Sequence, residues 1–477
     1  MKRAISLSLA ALLLAGCVAA PPTMPGQTAL KPDTLGLSAA PTPEIADAWW
    51  KTFGDPQLDS LVGRALAASP TLAVAIARMR EAQAQLSVNR AATYPQLTLD
   101  GQDQRTHFSK NYIIPPPYAG TMQWYGQVQA NLSWSLDLFG KQAAAVEQAR
   151  ATANAAELDA TAARLALSSA VTQAYIALDR DYLLVDVAEA AVKQRQSVLD
   201  LTRGRVNAGL DTKASDEQAQ ALLALSQEDL IRAEAERDMA VHAIAALIGR
   251  GADAYNIARP KLDDAALSLP STLPADLLAR RADIAAAEAR IGAATSGREV
   301  AKKAFYPDID LIGAAGFAAI GLSPLFSASS AQYGIGPAIH LPIFDAGELR
   351  AKYAGATAGL DEAVASYNQS VVTAVKETSD ALTELSSVQA QNEQQRAALG
   401  AAQSSFDLAA KRYRSGLSPQ LTVLNAEDIL LQARRQDASL NDDLLSARVV
   451  LLMAVGGGYE PNHAVADANS DNQDKPR

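Results

Sequence analysis

The sequence predicts an α+β membrane protein made of two similar units, each with very long helices and a pair of long strands. The stretch from Lys141 to Arg203 contains no Gly or Pro, which predicts one uninterrupted helix. The segment from Met122 to Phe139 alternates apolar and polar side chains, which is typical of a strand with one apolar and one polar face. Both patterns recur roughly 205–212 residues further along the chain, which indicates a duplicated unit and not a short-period repeat array.

Composition narrows the class of protein. The chain has 477 residues, of which 49% are hydrophobic and 20% are charged, so it is not expected to be disordered as a whole. Aromatic residues make up only 5% and alanine is abundant, which favours thin layers of closely packed helices over a large compact core. The formal net charge of −10 argues against a nucleic-acid binder, because phosphate contacts need clustered Lys and Arg.

The N-terminus is typical of an exported lipoprotein. A basic start and a short apolar stretch precede Leu-Ala-Gly-Cys at 14–17, which resembles a bacterial lipobox. We therefore expect a signal peptide at 1–16 and acylation of Cys17, the only cysteine, as a durable membrane anchor. Val18 follows, and a residue other than Asp at this position favours the outer membrane. The Pro-rich segment 17–43 is expected to form a tether to the folded body.

Each unit has the same predicted order: helix, strand pair, very long helix, Gly-Leu turn and medium helix. A medium helix stacked end to end on the short first helix would match the length of the very long one. The predicted divisions are a first repeat at 44–250, a linker at 251–273, a second repeat at 274–457 and a disordered tail at 458–477, with strand pairs at 94–139 and 306–344 and tip turns near 209 and 416.

The predicted strands suit a membrane barrel. The clearest one alternates from Met122 to Leu138, which is long for a strand of a soluble domain. Outer-membrane barrels use such strands, with apolar side chains facing lipid and polar ones facing a wet lumen. Four strands cannot close a barrel, and open sheet edges are not tolerated in lipid, so several copies must contribute strands. Two copies would supply eight strands and three would supply twelve; a pore favours a trimeric twelve-stranded β-barrel.

Together these features resemble the TolC-like outer-membrane factors, the exit ducts of bacterial tripartite efflux and secretion machines. The lipobox and the segment WWKTFGDPQLDSLVGRALAASPTL at 49–72 are similar to the outer-membrane efflux lipoprotein branch, which is associated with drug efflux. The resemblance covers about 45–457 and implies a homotrimer whose barrel continues as a long periplasmic α-helical barrel. It also implies three partners: a periplasmic adaptor protein, an inner-membrane pump of the proton-driven resistance-nodulation-division type, and outer-membrane lipid.

The resemblance places the two Gly-Leu turns at the periplasmic tips, where helical hairpins of the adaptor dock. The docking residues that it implies are Ala208, Gly209, Leu210, Ser415, Gly416 and Leu417. Glycine permits the turn that ends a helix, and an exposed leucine offers an apolar contact to a partner. The alternative is that both glycines only cap their helices and that each leucine packs against its own cap.

The tip is also a gate in this family, held closed by polar links and narrowed by acidic side chains. The gate residues implied here are Tyr413, Ser418, Thr422, Asn425 and Asp428. Tyr413 matches the family pattern, whereas Thr422 and Asn425 replace two aspartates and Ser418 replaces an arginine. We therefore expect an acidic ring that is weaker, or displaced to Asp428 on a neighbouring part of the same helix face.

No catalytic site is expected. The four histidines, at 107, 242, 340 and 463, lack metal-ligand spacing, and no nucleophile motif lies near them. The sequence therefore predicts no enzyme, cofactor or metal, and the energy for transport must come from a partner. The function predicted is a passive duct that exports small amphiphilic compounds or drugs. Two alternatives remain: a type I secretion exit duct, and a lipid-anchored coiled-coil scaffold without a pore.

Overall fold

The computed structural model describes residues 21–31, 35, 45–111, 113–251, 257–262 and 279–459. The predicted signal peptide and Cys17 lie outside the described residues, as do most of the predicted linker and tail. The chain divides into two compact units. Unit 1 holds the described residues within 1–29, 78–157 and 286–368, and unit 2 holds the other described residues.

The described elements follow one order twice, with one additional helix at the start of the first repeat. In the first repeat, helices α1 (Pro56–Ala68) and α2 (Pro70–Ala91) precede strands β1 (Gln96–His107) and β2 (Met122–Ser135), which lead to helices α3 (Lys141–Asn207) and α4 (Lys213–Leu247). In the second repeat, helix α5 (Ala282–Lys303) precedes strands β3 (Asp308–Ile320) and β4 (Ala331–His340), which lead to helices α6 (Glu348–Arg414) and α7 (Gln420–Ala454). Short 3-10 helices occur at Trp49–Phe53 and Ala328–Ser330.

Corresponding helices of the two repeats have equal lengths. Helices α3 and α6 have 67 residues each, α4 and α7 have 35 each, and α2 and α5 have 22 each. At 1.5 Å per residue, the longest helices extend about 100 Å.

Helix α4 begins at Lys213 and not directly after Leu210, because the Thr212 side chain accepts the Ser215 N–H and caps the helix there. Helix α5 begins at Ala282.

Among the described helices, no single one is long and apolar enough to cross a membrane. The bent pair of α1 and α2 together has the length and the apolar composition of a membrane span, and nothing else indicates one.

The four strands, all in unit 1, form one antiparallel sheet in the order β1-β2-β3-β4. Residues that pair directly across strands share a face of the sheet. The apolar face carries the directly paired side chains Leu97 and Leu132, Trp134 and Leu311, and Ile309 and Ile339. The polar face carries a hydrogen-bonded series of side chains formed by Tyr125, Gln127, Gln129, Asn131 and Asp100. The sheet thus has the two faces that the alternating sequence predicts.

In unit 2, each medium helix ends against the start of a short helix. Gly249 follows α4 with a φ of 69°, and a Cβ there would lie 2.6 Å from the carbonyl oxygen of Ala68, where α2 is about to begin. Gly456 follows α7 with a φ of 83°, and a Cβ there would overlap the carbonyl group of Arg280, just before α5. Only glycine combines this backbone conformation with so close an approach. The two glycines therefore explain the end-to-end stacking that the helix lengths predict.

The main hydrophobic core of unit 2 is built around the segment that begins at Trp49. Trp49 and Phe53 are 1% and 0% exposed. Asp55 accepts the N–H of Gln57 (2.8 Å), which starts α1, and the hydroxyl of Tyr175 on α3 (2.7 Å), which ties the segment to the long helix. Helices α3, α4 and α7 add the buried side chains Val171, Leu178, Ile244, Ile248, Val449 and Leu452. The segment 49–72, which resembles the outer-membrane efflux lipoprotein branch, therefore contributes buried side chains to this core.

The described start of the predicted tether is bound to unit 1. Asp361 of α6 accepts the backbone N–H groups of Gly26 (2.8 Å) and Gln27 (2.9 Å), and Arg298 of α5 donates to the carbonyl of Thr23 (2.7 Å).

At the other end of the chain, in unit 2, Gly458 is buried, so the packed region extends into the first residue of the predicted tail.

Replacing Gly456 by Ala is expected to lower the free energy of unfolding by about 1–3 kcal/mol, because a side chain is strained at this φ and meets the Arg280 carbonyl. Thermal unfolding of the purified protein measures the change. The control is Gly400→Ala in α6, where no atom lies within 4 Å of the added Cβ. This control is expected to be neutral or to stabilise by up to about 1 kcal/mol. Equal unfolding midpoints for the two variants would contradict the close approach at Gly456.

Candidate functional site at the Gly-Leu turns

Both Gly-Leu turns lie in unit 2 and end a long helix with the same hydrogen bonds. After α3, the N–H of Gly209 donates to the carbonyl of Val206 (3.0 Å), and the N–H of Leu210 donates to the carbonyl of Arg205 (2.9 Å). This pair of bonds is the Schellman motif, which needs a left-handed residue, and Gly209 has a φ of 72°. The turn after α6 repeats both bonds around Gly416, whose φ is 75°.

This geometry leaves both leucines largely exposed. Leu210 is 66% exposed and Leu417 is 70% exposed. A leucine after the capping glycine often packs on the side chain five residues before it, but that residue is an arginine in both turns. Ala208 and Ser415, which precede the glycines, are also exposed. Each glycine therefore caps its helix, while neither leucine is covered by its own cap.

Tyr413 is the centre of a buried polar network beside the turns. Its side chain is 0% exposed, and its hydroxyl donates to Asp211 (2.9 Å) and lies 3.2 Å from the Thr202 hydroxyl. The Arg205 guanidinium lies over the Tyr413 ring, 4.6 Å from its centroid, and donates to the Tyr413 carbonyl (3.1 Å). Gln420 donates to the Thr202 hydroxyl (3.2 Å). The network therefore ties the end of α3 to α6 and α7.

The charge of Asp211 is stabilised by its hydrogen bonds. Burial alone would raise the pKa of Asp211, but bonds from the Ser215 hydroxyl (2.7 Å), the Thr212 N–H (2.9 Å) and Tyr413 outweigh it and hold that pKa below its usual value. Burial raises the pKa of Tyr413 above its usual value. At neutral pH the pair is therefore a protonated phenol that donates to a carboxylate, which is a strong type of hydrogen bond.

A second polar group ties α3 to α7 further from the turns. Arg195 of α3 is 6% exposed and contacts both Glu427 (3.2 Å) and Asp428 (2.6 Å) of α7. Gln194 donates to Glu427 (2.9 Å), which is 0% exposed. Burial raises the pKa of Glu427, and the attraction of Arg195 opposes this only in part.

The five predicted gate residues lie in different environments. Tyr413 is buried in the network, and the Ser418 hydroxyl is buried without a hydrogen-bond partner among the described residues. Thr422, Asn425 and Asp428 are all exposed and follow each other at intervals of three residues, so they share one face of α7. The Asp428 side chain is 65% exposed, and its pairing with Arg195 compensates part of its charge.

Sequence reasoning missed the residues that contact Tyr413. The available signal was the pair of opposite charges, Arg205 and Asp211, on either side of the first turn in RVNAGLD. Thr202 is 211 positions from Tyr413, and Gln420 is 218 positions from Thr202. Contacts at such separations depend on how the two repeats pack. In the part of the chain that the structure describes, no group of three or more His, Cys, Asp or Glu side chains could hold a metal ion.

Comparison with known proteins identifies the family of this chain. The family model for outer membrane efflux proteins matches residues 61–250 and 273–457. The chain therefore belongs to the outer membrane efflux protein family. Its expected fold class is confirmed: long helices and a small antiparallel sheet in each protomer of a trimeric channel.

Individual relatives agree in fold and in name. The chain is 34% identical to the outer membrane protein VceC of Vibrio cholerae, with a TM-score of 0.82 over 87% of this chain and 100% of that one. It is 28% identical to the outer-membrane channel OprN, also with a TM-score of 0.82, over 93% and 100% of the two chains. The pyoverdine export outer membrane protein OpmQ of Pseudomonas aeruginosa is 31% identical over 96% of this chain and 97% of its own length.

The protein is thus an outer-membrane efflux channel with a periplasmic helical extension, as the resemblance implied. The alternative of a coiled-coil scaffold without a pore is wrong. Channels of this family are trimeric and work with the other components of efflux pumps.

Replacing Tyr413 by Phe is expected to loosen the turns, because it removes the hydroxyl that donates to Asp211 and keeps the ring under Arg205. The loss of a hydrogen bond to a charged group corresponds to about 1.5–3 kcal/mol, or roughly tenfold or more in the opening equilibrium. Amide hydrogen exchange of residues 205–216 measures this opening. Since the pKa of Asp211 is lowered, its contribution is present at neutral pH and is lost only as pH falls through that lowered pKa.

The matched control is Tyr367→Phe on the same helix, α6. The Tyr367 hydroxyl is only partly buried and takes part in no hydrogen bond among the described residues. Exchange at 205–216 should be unchanged in this control. Equal exchange in Tyr413→Phe and the unmodified protein at neutral pH would show that the Asp211 bond does not hold the turns.

Proposed function

We propose that the chain is the exit duct of a tripartite efflux pump and passes small amphiphilic compounds or drugs to the outside. The supporting observation is that two equivalent turns, one in each repeat, each expose a leucine beside a capped helix end. The related proteins are named for fusaric acid resistance, pyoverdine export and toluene efflux, which concern small molecules. These names favour small-molecule export over a type I secretion duct.

The assembly proposed here has three attachments. A periplasmic adaptor docks at Ala208, Gly209, Leu210, Ser415, Gly416 and Leu417, and it connects the duct to an inner-membrane pump of the resistance-nodulation-division type. The acylated Cys17 anchors the chain in the outer membrane through the segment 17–43. The repeats 44–250 and 274–457 act as two equivalent halves, so that one protomer offers two docking turns. Leu417 has uncharged neighbours on both sides, and the Asp211 that follows Leu210 is engaged by Arg205 and Tyr413. Both leucines therefore suit an apolar contact with the adaptor.

The gate that we propose at these turns has two parts. The network of Tyr413, Asp211 and Arg205 holds the ends of α3 and α6 together, and the duct opens when these bonds are broken. The face of α7 with Thr422, Asn425 and Asp428 lines the passage. Because Thr422 and Asn425 are neutral, Asp428 is the one acidic residue of these three, and Arg195 limits its effect.

Replacing both Leu210 and Leu417 by Asp is expected to abolish adaptor docking and restore drug sensitivity, because a charge replaces the apolar contact. A strain that lacks the channel is complemented with each variant and exposed to a panel of amphiphilic drugs, dyes and detergents. Adaptor capture by the tagged channel is measured in parallel. Gly416→Trp should have the same effect, since it distorts the second turn.

The control for this experiment is Leu225→Asp, an exposed leucine of α4 (55%) outside the turns. It should retain capture and resistance. If both turn variants capture adaptor and complement like the unmodified channel, the docking proposal is wrong. If deletion of the channel leaves susceptibility unchanged across the whole panel, export of small amphiphilic drugs is rejected.

Replacing Asp428 by Asn is expected to lower the cation-to-anion permeability ratio by about twofold, a modest change because Arg195 already compensates part of the charge. Single-channel recording in planar bilayers measures the ratio from reversal potentials. Asp437→Asn, nine positions further along α7, serves as the control. An unchanged ratio in Asp428→Asn would reject the displaced acidic ring.

A further inference from the structure

A charged groove lies in unit 1 where three helices meet the ends of the strands. It has a volume of about 620 Å³ and is lined by the end of α2, the start of α3 and the end of α5. These helices adjoin β1, β2 and β3, which are neighbours in the sheet, so the groove is complete within one protomer. Its polar lining includes Arg90, Thr93, Tyr94, Arg150, Glu299 and Lys303.

The rim of the groove contacts the apolar face of the sheet. The indole N–H of Trp134 donates to the carbonyl of Thr93 (3.0 Å), and Trp134 belongs to the apolar face through its pairing with Leu311. Tyr94 is 67% exposed at the same rim. Three and five positions further, Leu97 and Leu99 are 72% and 74% exposed on the apolar face of β1. The groove thus opens at the edge of the surface that faces lipid in an outer-membrane channel.

In the part of the chain that the structure describes, two cations of the groove lack a carboxylate partner. Its acids are already engaged, since Glu147 pairs with Arg150 (2.7 Å) and Glu299 pairs with Lys302 (3.5 Å). Among the described residues, the Lys303 ammonium donates to the carbonyl of Gly140 (3.0 Å) and pairs with no carboxylate. Arg90 is exposed, and among the described residues its guanidinium has neither a hydrogen bond nor an ion pair. A net positive charge therefore remains beside the lipid-facing surface.

We propose that this groove binds the phosphate group of a phospholipid from the periplasmic leaflet of the outer membrane. Arg90 supplies a planar, forked donor that matches a phosphate, and Lys303 has N–H groups left beside its bond to Gly140. The acyl chains of the same lipid then lie along Leu97 and Leu99. A phosphate with acyl chains matches both the charge in the groove and the apolar surface above its rim.

Aromatic residues near this end of the strands indicate that the groove lies at the level of the lipid headgroups. Phe139 and Tyr306 are stacked 5.2 Å apart and are 42% and 44% exposed, just beyond the ends of β2 and β3. Tyrosine and tryptophan side chains concentrate at the level of the lipid headgroups. The groove lies directly beside this level, where the phosphates of the periplasmic leaflet are located.

The test uses the full-length channel, purified in detergent, and native mass spectrometry during a titration with phosphatidylglycerol. The double variant Arg90→Gln/Lys303→Gln is expected to bind the lipid about tenfold more weakly, since two charge-assisted contacts are lost. The control double variant Arg64→Gln/Arg80→Gln removes the same charge from exposed positions outside the groove and should bind like the unmodified protein. The variant Arg90→Lys/Lys303→Arg keeps the charge and should retain most of the binding.

Two further ligands separate the possible sources of the phosphate. Glycerol 1-phosphate at the same concentration should not displace the lipid, and diacylglycerol should bind the unmodified protein and the double variant equally weakly. Equal phosphatidylglycerol binding by the unmodified channel and Arg90→Gln/Lys303→Gln would overturn the proposal. An equal loss in the Arg64→Gln/Arg80→Gln control would also overturn it, because the effect would then be one of net charge. Displacement by glycerol 1-phosphate would show a site for free anions and not for lipid.

Discussion

The pairing of backbone hydrogen bonds at the sheet edges is the constraint on which the rest of this protein depends. In the part of the chain that the structure describes, the sheet has four strands, and its outer strands β1 and β4 each have one paired neighbour. Hydrocarbon offers no water to satisfy an open edge, so the protein must close its sheet with further copies. Closure by several copies is therefore a physical requirement for the four strands that the structure describes, and channels of this family meet it as trimers.

Duplication of the unit gives both strand pairs flanking helices of matched length. The equal lengths of α3 and α6, of α4 and α7, and of α2 and α5 give both halves the same dimensions. A medium helix and a short helix accompany one long helix only if their ends meet closely. Gly249 and Gly456 allow this approach, because any side chain there would collide with the backbone of Ala68 or Arg280, which lie just before α2 and α5.

Polar groups occur where helices end, and they serve different purposes at the two places. At the turns, Tyr413, Asp211 and Arg205 satisfy one another in a buried network, which suits an element that holds together and can be released. In the groove beside the sheet, Arg90 and Lys303 have no carboxylate partner among the described residues, which suits a surface that meets an external anion. The charged side chains at the turns are thus paired within the chain, whereas the cations of the groove remain available to bind a ligand.

Local signals in the sequence predict the elements: a long run without Gly or Pro for α3, period-two alternation for β2, and Gly-Leu at each turn. The sequence by itself also determined the duplication, since matching segments recur in order. The contacts of Tyr413 are visible only in the folded chain, because Thr202 lies 211 positions away and is brought close by packing between the repeats. The tertiary structure likewise decided that both leucines stay exposed and that Asp428 is held by Arg195. Periodicity specifies the face on which a side chain lies, whereas its partner depends on the neighbouring helix.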